Sequence, residues 1–155
     1  GVPLEQGRRK KAVLFVIYAV VLLYLLFGRT PNPRELSFPA YLQAHLNLVP
    51  LRTIQRFVRL LIPPVRPYLV RIALHNLLGN VVLFVPLGWF LPALFPALRS
   101  FLMTVLSVLV SVSCVEILQV VCTVGICDVD DLLLNLLGAS MGYGLYRLYH
   151  WFKKG

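Results

Sequence analysis

The sequence predicts an all-α integral membrane protein, a four-helix bundle with an amphipathic interfacial or re-entrant helical segment between its first and second spans. Three observations lead there. Of the 155 residues, 59% are hydrophobic and the mean hydropathy is +0.80, whereas soluble proteins hold about 45 to 50% apolar residues. Four apolar runs approach the roughly 20 residues that cross a hydrocarbon core. Between the first two runs, arginines recur at helical spacing. A chain this long has room for one domain, residues 1–155.

The first span covers about residues 12–28 and follows Arg8, Arg9, Lys10 and Lys11. Its continuous apolar stretch, Ala12 to Phe27, reaches about 24 Å at ~1.5 Å per residue, so it needs its flanks to cross. "GRTPNP" after it offers no small-residue cleavage site, which predicts an uncleaved helix rather than a signal peptide. A proline-rich connection follows, with Pro31, Pro33, Pro39, Pro50, Pro63, Pro64 and Pro67. Within it, "LRTIQRFVRLLI" sets Arg52, Arg56 and Arg59 on one helical face against Ile54, Phe57, Val58, Leu61 and Ile62. Such a helix lies in the headgroup layer or covers the bundle. The second, third and fourth spans are expected at about 73–95, 100–122 and 131–151. Pro86 should kink the second by crowding the Val82 carbonyl. Gly138 and Gly142 form a G-x-x-x-G that permits close helix approach in the fourth, and Gly79 offers the same in the second.

The net charge of +9 would suggest nucleic acid in a soluble protein; between membrane spans it points to anionic lipid. Basic residues divide evenly between the two sides, but the cluster before the first span places the N-terminus in the cytoplasm. Cys114, Cys122 and Cys127 form no CxxC, and no zinc-finger histidine spacing accompanies them, so small apolar packing is expected with no disulfide, metal or cofactor. "DVDD" lacks the later oxygen ligands of a calcium loop.

Nearly all the polarity inside the spans lies on one side. Antiparallel spans bring the start of the second, the end of the third and the start of the fourth to one leaflet. His75, Asn76 and Asn80 open the second span, Glu116 and Gln119 close the third, and Asp131 and Asn135 open the fourth. A carboxylate at the centre of a spanning helix costs about 2.5 to 3.5 kcal/mol, so Glu116 requires a partner. The aspartates lie where the positive end of a helix dipole favours anions, and Asp128 or Asp130 suits the cap. Capping needs one carboxylate; the others suggest a salt-bridged lid or a polar pocket.

"NLVPLRTI" (47–54), "HNLLGNVVLFVPLGWFLP" (75–92), "CVEILQ" (114–119) and "CDVDDLLLNLLGASMGYG" (127–144) together resemble the VanZ-like family of bacterial membrane proteins. The resemblance implies a small multi-helix domain of the cytoplasmic membrane, associated with glycopeptide resistance, chiefly to lipid-tailed teicoplanin. The family pattern falls on His75, Asn76, Gly79, Asn80, Phe84, Pro86, Gly88, Glu116, Gln119, Asp128, Asp131, Asn135 and Gly138. Many members carry an arginine shortly before the aspartates, where this chain has Gly125; if that arginine pairs with Glu116 or binds a phosphate, another basic residue such as Arg71 must substitute.

Three functions follow as expectations. In the first, a polar pocket built from the residues above, with Arg52 and Arg71, holds a membrane lipid, a lipid-linked cell-wall precursor or a lipoglycopeptide, arginine forks suiting phosphate. In the second, an intramembrane enzyme uses His75 or Glu116 as base and Asp128 and Asp131 as Mg²⁺ ligands at a lipid phosphate. In the third, the polar residues only knit helices together and the protein is a scaffold. Oligomeric state has no signature in the sequence.

Overall fold

The computed structural model describes residues 2–28, 37–62 and 66–153, so Arg29, Arg34, Pro31, Pro33, Pro63, Pro64 and Lys154 lie outside the described residues. Four long helices dominate: α1 (Val2–Phe27), α4 (Pro67–Leu94), α5 (Phe101–Val121) and α6 (Val129–Phe152). Two short ones, α2 (Phe38–His45) and α3 (Arg52–Arg59), lie between α1 and α4. Among the described residues the strand content is one parallel pair of two-residue segments, β1 (Leu46–Asn47) and β2 (Cys127–Asp128).

The ends of these helices follow from local chemistry. Pro67 opens α4, where its missing N–H is not needed and its fixed φ already suits a helix. The Ser100 hydroxyl accepts from the Met103 N–H at 3.2 Å to start α5. That helix stops at Thr123, which takes a left-handed φ of 56° while Val124 N–H returns to the Gln119 carbonyl at 2.9 Å. α1 begins ten residues earlier than the apolar run, and at 26 residues it reaches about 39 Å, so the shortfall expected from Ala12 to Phe27 disappears.

Among the described residues α1, α4 and α5 are both long and apolar enough to cross a membrane. α6 matches their length with 24 residues, but Asp130, Asp131, Asn135 and Arg147 dilute its apolarity. Contacts at both ends set the directions of all four. Phe15 meets Phe95 while Tyr18 donates to the Leu83 carbonyl at 2.6 Å, so α1 and α4 are antiparallel. That bond falls one turn before Pro86, beside the Val82 carbonyl, and α4 remains helical through both Pro86 and Pro92. Asn80 meets Asp131 and Trp89 meets Tyr149, so α4 and α6 run parallel. Phe101 meets Tyr143 while Glu116 meets Asp128, so α5 runs against α6.

Each long helix contributes to one core: Leu22 from α1, Phe84 from α4, Val108 and Val112 from α5, and Ala139 from α6. Outside it, Val20, Val110 and Val121 stay more than 60% exposed, an arrangement that water penalises and lipid tails accept. The seam between α4 and α6 is the tightest. A Cβ on Gly88 would collide with the Ala139 carbonyl, one on Gly138 with that of Val81, and one on Gly142 with that of Val85. Gly79 is different: nothing lies within 4 Å of where its Cβ would stand, so the close approach expected there is absent.

Candidate functional site

At one end of the four helices the α2–α3 connection folds back over the starts of α4 and α6. β1 supplies the tether, pairing Leu46 with Cys127 and Asn47 with Asp128. From α2 the Tyr41 hydroxyl donates to the carbonyl of Gly125, and its ring stacks on His45 at 4.2 Å. Gly125, where the family resemblance implies an arginine, packs against Gln119.

Each aspartate has a different task. Asp128 is the cap of α6: its Oδ1 accepts from the Asp130 N–H at 2.9 Å, as expected of a carboxylate at a helix start. The same side chain also accepts from Asn47 Nδ2 at 3.1 Å and from the Thr53 hydroxyl. Asp130 caps a second helix, far away in sequence. Its Oδ2 accepts from the N–H groups of Thr53 and Ile54 at 2.7 and 2.9 Å, and its Oδ1 from that of Leu51. Leu51 takes a left-handed φ of 66° at this point, a conformation that costs a branched residue about 1 to 3 kcal/mol and persists where its surroundings hold it. Asp130 is fully buried and was missed as a site residue, since no local pattern reveals that its partner helix lies some 77 residues earlier. Asp131 turns toward α4, accepting from Asn80 Nδ2 at 2.6 Å. The acids at the start of α6 thus join three helices.

Between these elements lies a cavity of about 780 Å³. His75, Asn76, Asn80, Asp128 and Asp131 line it from α4 and the start of α6, and Arg52, Arg56 and Arg59 from α3. Six of the ten expected site residues therefore meet there. The arginine face of α3 looks into this cavity instead of only outward to headgroups. Four expected residues do not line it. Glu116 is buried behind Asp128, accepting its N–H through Oε2 at 3.1 Å, which answers the requirement for a partner. Gln119 donates to the Leu26 carbonyl at 2.7 Å and so binds α5 to the end of α1. Asn135 is buried, and its Oδ1 finds no hydrogen-bond partner among the described residues. Arg71 is exposed on α4, while the arginines that line the cavity are those of α3.

The enzyme expectation placed metal ligands at Asp128 and Asp131. Both oxygens of Asp128 are already engaged by protein donors, and among the described residues no three of His, Cys, Asp and Glu form a metal-holding group.

Cys127 borders the same region, and burial, followed by the nearby Glu116 carboxylate, pushes its thiol up to about 11. Only the thiolate attacks maleimide. A variant whose sole cysteine is Cys127 should therefore label ~100-fold more slowly at pH 7.5 than an ordinary thiol, since two pKa units separate their thiolate fractions. Its rate should still be climbing steeply at about pH 9. A plateau near pH 9 would contradict this.

Comparisons with known proteins cover the segment that builds this cavity and the seam. The VanZ/LLP1 family model matches residues 15–150. Protein VanZ of Enterococcus faecium is 28% identical over 135 residues, covering 87% of this chain and 72% of that protein. No solved structure gives a significant match. With α3, α4, α5, β2, the cavity and all but the last two residues of α6 inside the matched segment, the chain belongs to the VanZ/LLP1 family of membrane proteins.

Proposed function

We propose that this protein holds the anionic headgroup of a lipid-linked ligand in the cavity beneath α3. The VanZ-like family is associated with glycopeptide resistance, so a cell-envelope precursor or a lipid-tailed glycopeptide is the ligand class in view. The observation carrying this reading is that Arg52, Arg56 and Arg59 line the same cavity as the polar starts of α4 and α6. Three guanidinium groups offer paired donors that match phosphate or carboxylate oxygens, and the membrane-spanning helices alongside provide for a lipid tail. In this reading α6 crosses the bilayer with the other three long helices. A cytoplasmic N-terminus, expected from Arg8 to Lys11, then puts the cavity on the outer side, where a cell-wall precursor meets an extracellular antibiotic.

Purified protein in nanodiscs of mixed composition should retain phosphatidylglycerol over phosphatidylcholine, with the preference falling as salt rises. Exchanging Arg52, Arg56 and Arg59 together for glutamine should weaken that binding at least ~10-fold, because charge-assisted hydrogen bonds contribute about 1.5 to 3 kcal/mol each before solvent screening reduces them. Undiminished binding by a folded triple variant would refute the proposal. Membrane-impermeant labelling of a cysteine placed at Gln55 in intact cells tests the orientation separately; labelling only after lysis would move the cavity to the cytoplasmic side.

A further inference from the structure

The end of the bundle away from the cavity is unevenly charged. Among the described residues seven lysines and arginines lie there, including the run Arg8 to Lys11, against a single acid, Glu5. The other four described acids are all at the cavity end. Aromatic rings mark the same level: the Lys11 ammonium lies 5.6 Å from the Trp89 ring centroid, and Trp89 meets Tyr149. Trp and Tyr collect where headgroups meet hydrocarbon. Lys11, Phe15 and Tyr18 turn toward α4. Helical spacing sets Gln6, Arg9, Lys10, Val13 and Leu14 on another face of α1, where they line an open groove of about 470 Å³. All five are exposed. The groove is polar at Gln6, Arg9 and Lys10 and apolar one turn further on, with Val13 and Leu14 exposed by 53% and 57%.

We propose that this groove is a second lipid site, which binds an anionic phospholipid of the adjacent leaflet. Its phosphate lies between Arg9 and Lys10, and the upper part of an acyl chain runs along Val13 and Leu14. From Arg9 to Leu14 the helix rises about 7.5 Å, comparable with the roughly 5 to 7 Å of headgroup layer on each side of the hydrocarbon core. Long basic side chains keep their charge at that layer while their stems cover apolar surface. No acid lines the groove among the described residues, so the ammonium of a net-neutral headgroup would go unmatched. Gln6 adds an amide that can pair with a headgroup hydroxyl, which makes phosphatidylglycerol the lipid in view. The groove and the cavity lie at opposite ends of the helices, and neither proposal depends on the other.

The test places the full chain in phosphatidylcholine nanodiscs with a trace of phosphatidylglycerol or phosphatidylcholine that carries a photoactivatable diazirine near the glycerol end of one acyl chain. Labelling at Val13 and Leu14, mapped by peptide mass spectrometry, should be at least ~5-fold higher with the phosphatidylglycerol probe, since each basic residue near an anionic headgroup adds to its attraction. Arg9→Gln with Lys10→Gln should bring the two probes level. Arg9→Lys with Lys10→Arg keeps both charges in the groove and should preserve the preference, which controls for folding. Arg8→Gln with Lys153→Gln removes the same charge from the same end but outside the groove, and should leave most of the preference in place. Equal labelling by both probes in the unaltered chain would overturn the proposal, leaving ordinary boundary lipid. An equal loss in the two glutamine pairs would also overturn it, reducing the effect to attraction by the basic end as a whole. Built on the Arg9→Gln and Lys10→Gln background, the α3 triple variant reads the cavity alone.

Discussion

Gly142→Leu is expected to prevent α4 and α6 from packing, with loss of monodisperse protein. Even Gly142→Ala should cost about 3 kcal/mol, the upper end of overpacking penalties, and lower the Tm in detergent. A Cβ there has no rotamer by which to escape: what it would meet is the Val85 carbonyl, with the Trp89 amide nitrogen 3.0 Å away. Backbone cannot swing aside as a long side chain can, so the helices must separate, and separation opens the seam along which Gly88 and Gly138 also lie. Gly79→Ala and Gly144→Ala, with open space at both positions, should be neutral or gain up to about 1 kcal/mol from helix propensity. Thermal unfolding of the four variants, followed by size-exclusion profile, separates the sites. Equal behaviour of Gly142→Ala and Gly144→Ala would mean the seam is not as close as described.

Asp130→Asn is expected to release α3 while leaving the long helices intact. The carboxylate accepts three backbone N–H groups, which are among the orphan donors every helix start must satisfy. An asparagine presents one acceptor oxygen and one NH₂, and the NH₂ opposes the N–H groups it replaces. Hydrogen bonds to a charged acceptor contribute about 1.5 to 3 kcal/mol each, and their loss removes what offsets the left-handed Leu51. Amide hydrogen exchange at Leu51, Thr53 and Ile54 should accelerate ~100-fold, corresponding to about 3 kcal/mol of local opening. Protection within α4 and α5 should persist. Asn76→Ala is the control, since the Asn76 amide donates to the Ile72 carbonyl of its own helix. Unchanged exchange at residues 51–54 in Asp130→Asn would show that the strand pair and the Thr53–Asp128 bond suffice to hold α3. Because Arg52, Arg56 and Arg59 ride on this helix, the same substitution should weaken headgroup binding without touching a cavity residue.

The sequence by itself determined the membrane character, the approximate positions of the long helices and the side on which polarity collects. These depend on properties local to a segment: the length of an apolar run against the thickness of a bilayer, and the periodicity that places Asn76 with Asn80 or Asp131 with Asn135 on one helix face. The close approach at Gly138 and Gly142 was legible for the same reason. What only the tertiary structure decided is how the polar groups are shared among partners. Glu116, Gln119, Asn80 and Asp131 are all polar residues near one end, and helical spacing ranks none above another as a cavity wall. Which faces inward depends on rotation of each helix about its axis, and for α4 and α6 the close contacts at Gly88, Gly138 and Gly142 hold that rotation. Asp130 is the clearest case. From residue 127 onward it reads as one more acid at the start of α6, and its actual role requires β1 to pair with β2 and bring the N-terminus of α3 within 3 Å of its carboxylate. Pairing across such a separation depends on loop closure and packing, which no window along the chain contains.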